Sequence, residues 1–147
     1  MFDMRSGRFA EARDLYRSSN PELFADGEPR ISADNLTAAI NVGAAMWKLG
    51  DRPAAELFLR KCEAYVASRT EGTRRARFRL EPVQINAIMG KKEDALAAFR
   101  QAIDDGLRNG WWRWPVDPSL DAIRDDPRFV AMMQEVRADV DRMREKR

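Results

Sequence analysis

Histidine is missing from this sequence of 147 residues, and cysteine occurs only once. The first absence removes the commonest general base and the commonest metal ligand. The second leaves no internal disulfide and says little about redox compartment. Charge of one sign is not in excess: 26 Lys and Arg against 24 Asp and Glu give a formal net charge of +2. No overall field therefore demands nucleic acid or a membrane as partner. Apolar runs fall far short of the roughly 18–20 residues that a membrane span needs, and the stretch from Met1 to Asp14 has no apolar signal core. What is present suits a folded helical chain, since 44% hydrophobic and 34% charged residues are too apolar for disorder and too charged for a membrane bundle. The length accommodates one compact domain rather than two.

One pattern recurs along the chain. Gly7, Gly50 and Gly90 each precede a polar turn, an Ala five residues on (Ala12, Ala55, Ala95) and then a bulky residue (Tyr16, Leu59, Phe99). A turn Gly followed by a small and then a large side chain closes a helical hairpin tightly and packs its second helix. Recurrence of the pattern predicts an all-α array of helical hairpins, an α-solenoid, a class that mostly binds other proteins.

The breaks fall at definable residues. A helix is expected over 9–18, followed by a stretch that Pro21, Gly27 and Pro29 interrupt. A longer helix should run over 33–49, with Val42, Met46 and Leu49 on one side and Ile40, Ala44 and Trp47 on the other, as in a helix sandwiched within a stack. Gly50 ends it, and Asp51 and Pro53 suit the first turn of the next helix, to about 68. The following helix, 74–89, contains Pro82, so a kink or a fresh start is expected between Leu80 and Pro82. A helix over 93–105 carries the stripe Leu96, Phe99 and Ile103, and Gly106 stops it. Asp117-Pro118 and Asp126-Pro127 read as N-caps followed by first-turn prolines. The first should open a short helix through Leu120 and Ile123. The second should open a capping helix with Phe129, Met132, Met133, Val136, Val140 and Met143 on its apolar face. The organisation expected is one domain over 1–147: a partial repeat at 1–19, repeats at 33–68 and 74–106, and capping helices over 117–147.

These residues resemble the tetratricopeptide repeat, a helix–turn–helix unit of roughly 34 residues. Gly43 stands in the small-residue slot of a first helix, with Gly50 at the turn and Ala55 in the second helix; Cys62 stands where the family prefers Ala. The next unit keeps Gly90, Ala95, Phe99 and Ala102, but has Val83 in the small slot and Asn86 at a usual aromatic position. Its spacing is irregular, with 43 residues from Gly7 to Gly50 and 40 from Gly50 to Gly90. The segments NPELFADGEP, NLTAAINVGAAMWKLGD and WRWPVDPSLDAIRDDPRFVAMM look like the carboxy-terminal repeat region of large bacterial signalling proteins, in which such repeats follow a winged-helix DNA-binding domain or a nucleotide cyclase domain. The resemblance implies sensing or protein docking rather than catalysis, with no cofactor or metal. It implies a cytoplasmic location, or a periplasmic one where the parent has an upstream membrane span.

Before the helix over 9–18 only Met1 to Ser6 stand where a first helix of about fifteen residues belongs in such a hairpin. Its side bearing Phe9, Ala12 and Tyr16 is expected to lack a partner, through truncation of a longer chain or through cover by a second copy. A dimerisation scaffold for an upstream DNA-binding or cyclase domain is thus the alternative to a protein- or peptide-binding module. Catalysis has little to work with. Cys62 lies mid-helix among apolar neighbours, GKKEDA lacks the Ser or Thr of a phosphate loop, and no dinucleotide fingerprint occurs.

The run TRRARFR places Arg74, Arg75, Arg77 and Arg79 around a helix. It reads as a solvated face, as an anion clamp for an acidic peptide, or as a nucleic-acid contact, the last weakened by the low net charge. Trp111, Trp112 and Trp114 read as a hydrophobic plug or as an exposed binding patch; the plug leaves at most one or two of these indoles in solvent. First helices lining a concave face place Asn41, Ala44 and Lys48, and then Arg77, Gln84 and Ile88, towards a groove. Asn41, Lys48, Arg74, Arg77 and Gln84 are the expected partner contacts.

Overall fold

The computed structural model describes residues 8–25, 28–70 and 80–147, and every regular element among them is helical. The chain divides into two compact units, residues 1–78 and 79–147.

In the first unit α1 (Phe9–Ser19) packs on α2 (Leu36–Lys48), and α2 pairs with α3 (Arg52–Thr70). The reversal between α2 and α3 is made by Gly50, whose φ of 86° few other residues adopt. Its N–H donates to the Trp47 carbonyl, and the Asp51 N–H reaches the Met46 carbonyl, which satisfies two of the acceptors left open at the end of α2. The hairpin closes tightly because Gly43 has no side chain: a Cβ there would lie 2.8 Å from Leu59 Cγ. Ala55 and Ala12, both five residues after a glycine, are completely buried. Phe9, Ala12 and Tyr16 were expected to lack a partner; instead Ala12 is fully buried, Phe9 is partly buried and the Tyr16 hydroxyl accepts from the Asn41 amide of α2. Between α1 and α2, Pro21 opens a 3-10 turn, Pro21–Leu23, and Asn35 anchors the loop that follows. The Asn35 side chain is buried, accepts from the Ser32 N–H at 2.8 Å and donates to the Arg30 carbonyl at 2.8 Å and Glu22 Oε1 at 3.2 Å.

In the second unit α4 (Glu81–Ile88) begins with Pro82 in its first turn, where a missing N–H costs nothing. This is the fresh start expected there; positions 74–79 of that helix lie outside the described residues. Gly90, at φ 73°, repeats the closure seen at Gly50, with its N–H on Ala87 and the Lys91 N–H on Asn86. α5 (Lys92–Asp104) follows, and Gly106 ends it by the same two bonds.

The chain then forms two 3-10 segments, Trp111–Val116 and Pro118–Leu120, before α6 (Pro127–Glu145). Pro115 has no N–H to donate, and Pro118 and Pro127 each demand a new start, so no α-helix builds between α5 and α6. Asp117 and Asp126 cap as expected, accepting from the Ser119 and Arg128 N–H groups, but the helix after Asp117 is one 3-10 turn. Phe99 centres the core: the Phe129 ring stacks on it at 4.9 Å and the Trp114 ring meets it edge-on at 5.5 Å. Burying each such ring contributes about 1.5–3 kcal/mol.

Candidate functional site

The expected contacts separate between the two units. Asn41 and Lys48 lie seven residues apart on one face of α2, with the partly exposed Ala44 between them. Asn41 Nδ2 donates to the Tyr16 hydroxyl at 3.0 Å, which fixes the amide with its oxygen unspent on that bond. Lys48 is exposed and makes no ion pair among the described residues. Beside it the Arg52 guanidinium lies over the Trp47 ring at 3.8 Å. Such a cation–π contact is worth about 0.5–1 kcal/mol at an exposed site.

Gln84 belongs to the second unit, where its Nε2 donates to Asp117 Oδ2 at 2.9 Å. The other Asp117 oxygen accepts from the Ser119 N–H at 2.9 Å and from its hydroxyl at 2.6 Å. Gln84 therefore ties α4 to the proline-rich segment, while Ile88 on the same helix is partly buried. Arg74 and Arg77, with Arg75 and Arg79, lie outside the described residues.

The electrostatics of the second unit are organised along α5 and α6. Arg128 forks onto both Glu93 oxygens at 2.7 and 2.9 Å and also onto Asp126, which Lys92 meets at 3.1 Å. Seven residues further along each helix, Arg100 forks onto Glu135 at 2.8 and 2.9 Å. The Arg108 guanidinium then meets Asp139 at 2.6 Å. The charge-assisted bonds from Arg128 hold the Asp126 and Glu93 carboxyls below the usual carboxylate range, and those from Arg100 do the same for Glu135. A constant separation of 35 residues between bonded partners means that α5 and α6 run in the same direction.

No protein-family model, curated protein or solved structure matches this chain.

Cys62 is completely buried, and burial pushes its thiol up to about 12, so it holds its proton at neutral pH. No group of three Cys, Asp or Glu side chains among the described residues is arranged to hold a metal ion, and no helix among them is long and apolar enough to cross a membrane. Of the tryptophans, Trp114 is 2% exposed and plugs the core, Trp111 packs partly buried against it, and Trp112 stands 60% in solvent. Sequence reasoning missed the Tyr16–Asn41, Gln84–Asp117 and Glu93–Arg128 bonds. Residue type gave notice of each group, but the partner depends on how the helices align.

Proposed function

We propose that the chain is a non-catalytic protein-interaction module of the tetratricopeptide-repeat kind, the carboxy-terminal part of a bacterial signalling or regulatory protein. The observation that carries this reading is the register of the second unit. Polar side chains meet across 33 residues at Gln84 and Asp117, and across 35 at Glu93–Arg128 and Arg100–Glu135. These offsets lie close to the roughly 34-residue period of the repeat. A segment that packs beside its own equivalent one period later is the defining property of a stacked array. Arrays of this kind leave a face of their first helices open to a partner, and on that face Asn41 and Lys48 offer an amide oxygen and a free ammonium to peptide groups and carboxylates.

Affinity capture with the full chain tests the reading, with Lys48→Glu and Arg74→Glu/Arg77→Glu as comparators. Proteins retained by the parent and lost by equally helical variants support it. Retention that ignores all three substitutions removes these residues from the site. A dimerisation scaffold is the second reading, favoured by Leu15, which α1 leaves 46% exposed. A dimer in sedimentation that Leu15→Glu dissociates would establish it, and a strict monomer would remove it.

A further inference from the structure

Among the described cations of the second unit, Lys91 and Arg113 are exposed on other elements and make no ion pair among the described residues, and the remainder fall into two groups. Lys92, Arg100, Arg108, Arg124, Arg128 and Arg142 each meet a carboxylate. On and just after the last turns of α6, Arg137, Arg144, Lys146 and Arg147 are exposed and make no ion pair among the described residues. These free cations surround an apolar stripe that outruns its core. Phe129, Met132 and Val136 are buried, Val140 is partly buried, and Met143 is 55% exposed. At about 3.6 residues per turn, Met143 continues the stripe, Arg137 and Arg144 run along one edge, and Lys146 lies on the other. The negative end of the helix dipole accounts for cations in the last turn. It does not account for Arg137, about two turns earlier, nor for a methionine left in water between them.

We propose that this end of α6 docks an acidic amphipathic segment of a partner protein, its carboxylates meeting Arg137, Arg144 and Lys146 and an apolar side chain covering Met143. The inference rests on the protein-binding reading but uses residues other than Asn41, Lys48 and Gln84. Charge selects the occupant. Residues 137–147 hold five cations and three anions, Asp139, Asp141 and Glu145, so the patch is a mosaic with a net charge of +2. A nucleic acid, with charge at every phosphate, would be repelled at three places and gain little counterion release. A bilayer surface calls for a broad apolar face, and here only one methionine and part of a valine are open. A second copy would bring like charges together. Discrete carboxylates spaced around one apolar group fit both components, and Met and Arg are side chains that interfaces favour.

The probe is a fluorescein-labelled helical peptide of Glu, Leu and Ala, with glutamates on both edges of a leucine stripe. It is titrated into the full chain and read by anisotropy, beside phosphatidylserine vesicles and a mixed-sequence single-stranded DNA. The expected result is saturable peptide binding tighter than to either polyanion. The combined substitution Arg137→Glu, Arg144→Glu and Lys146→Glu weakens it about tenfold, and Met143→Gln weakens it with the charge kept. Helicity is unchanged in both, and Lys48→Glu leaves this binding intact, which separates failure here from failure of the α2 site. Absence of saturable binding, binding that ignores both α6 variants, or tighter binding to vesicles or DNA overturns the proposal.

Discussion

Gly43→Ala places a methyl group where α2 approaches α3 most closely. Two effects oppose each other. Ala is worth about 1 kcal/mol more than Gly in a helix interior. Against this, the new Cβ lies 2.8 Å from both Cγ and Cδ2 of Leu59, whereas carbon atoms settle at about 3.5–4.0 Å. Leu59 has no exposed surface through which to yield, so the strain falls within the roughly 1–3 kcal/mol typical of an overfilled core. The net expectation is a loss of about 1 kcal/mol, the difference between those two terms. Leu59→Ala alone should cost about 2–5 kcal/mol by leaving a cavity. In the double variant the methyl group occupies vacated space, so its loss should fall short of the sum of the two single losses by about 1–2 kcal/mol. Urea unfolding of the four proteins, followed by far-ultraviolet circular dichroism, gives the cycle. Gly43→Ala stabilising by its full propensity gain, or strict additivity with Leu59→Ala, would refute the close approach.

Trp114→Ala should cost about 3–5 kcal/mol, while Trp112→Ala stays within about 0.5 kcal/mol; equal midpoint shifts in urea would contradict the division of labour between the two indoles. The Cys62 thiol should resist a thiol-specific reagent in the native protein and react fully in urea, and stoichiometric labelling without denaturant would count against its burial. Acid should weaken the second unit. Glu93, Asp126 and Glu135 titrate lower folded than unfolded, so their stabilisation is complete above about pH 5 and fades as the pH drops through 4 and below. Glu81, raised by burial, works in the opposite sense, but it is one group against three. Glu93→Gln should flatten the acid limb of a midpoint-against-pH plot; an unchanged limb would show that the fork from Arg128 contributes nothing.

Much of the helical layout was legible because it rests on local backbone chemistry. A left-handed residue after a helix calls for glycine, so Gly50, Gly90 and Gly106 announced their turns, and the Ala five residues after Gly50 and Gly90 announced the buried faces. Pro82, Asp117-Pro118 and Asp126-Pro127 declared starts for the same kind of reason. The segment around Trp111 was harder, since a tryptophan cluster marks burial without saying which ring is buried. Pro115 and the bends on either side leave only Trp114 turned fully inward. Periodicity overextended the apolar face of α6, because the pattern that marks Met143 as inward carries no information about where the packed surface ends. The candidate site was read least completely. Asn41 and Lys48 do share a face, but Gln84 found Asp117 33 residues away, a partner set by tertiary register rather than by either residue's neighbours.

The central claim is that segments about one repeat apart lie side by side, and a cross-link between residues 93 and 128 tests it most directly. In a Cys62→Ala background, Glu93→Cys and Arg128→Cys replace side chains that now meet at 2.7 Å. A short bismaleimide added to the folded protein should join the peptides bearing residues 93 and 128 within one chain, and should fail to do so in urea. Links found only between chains, or none in the folded protein, would contradict the stacking on which the proposed binding role depends.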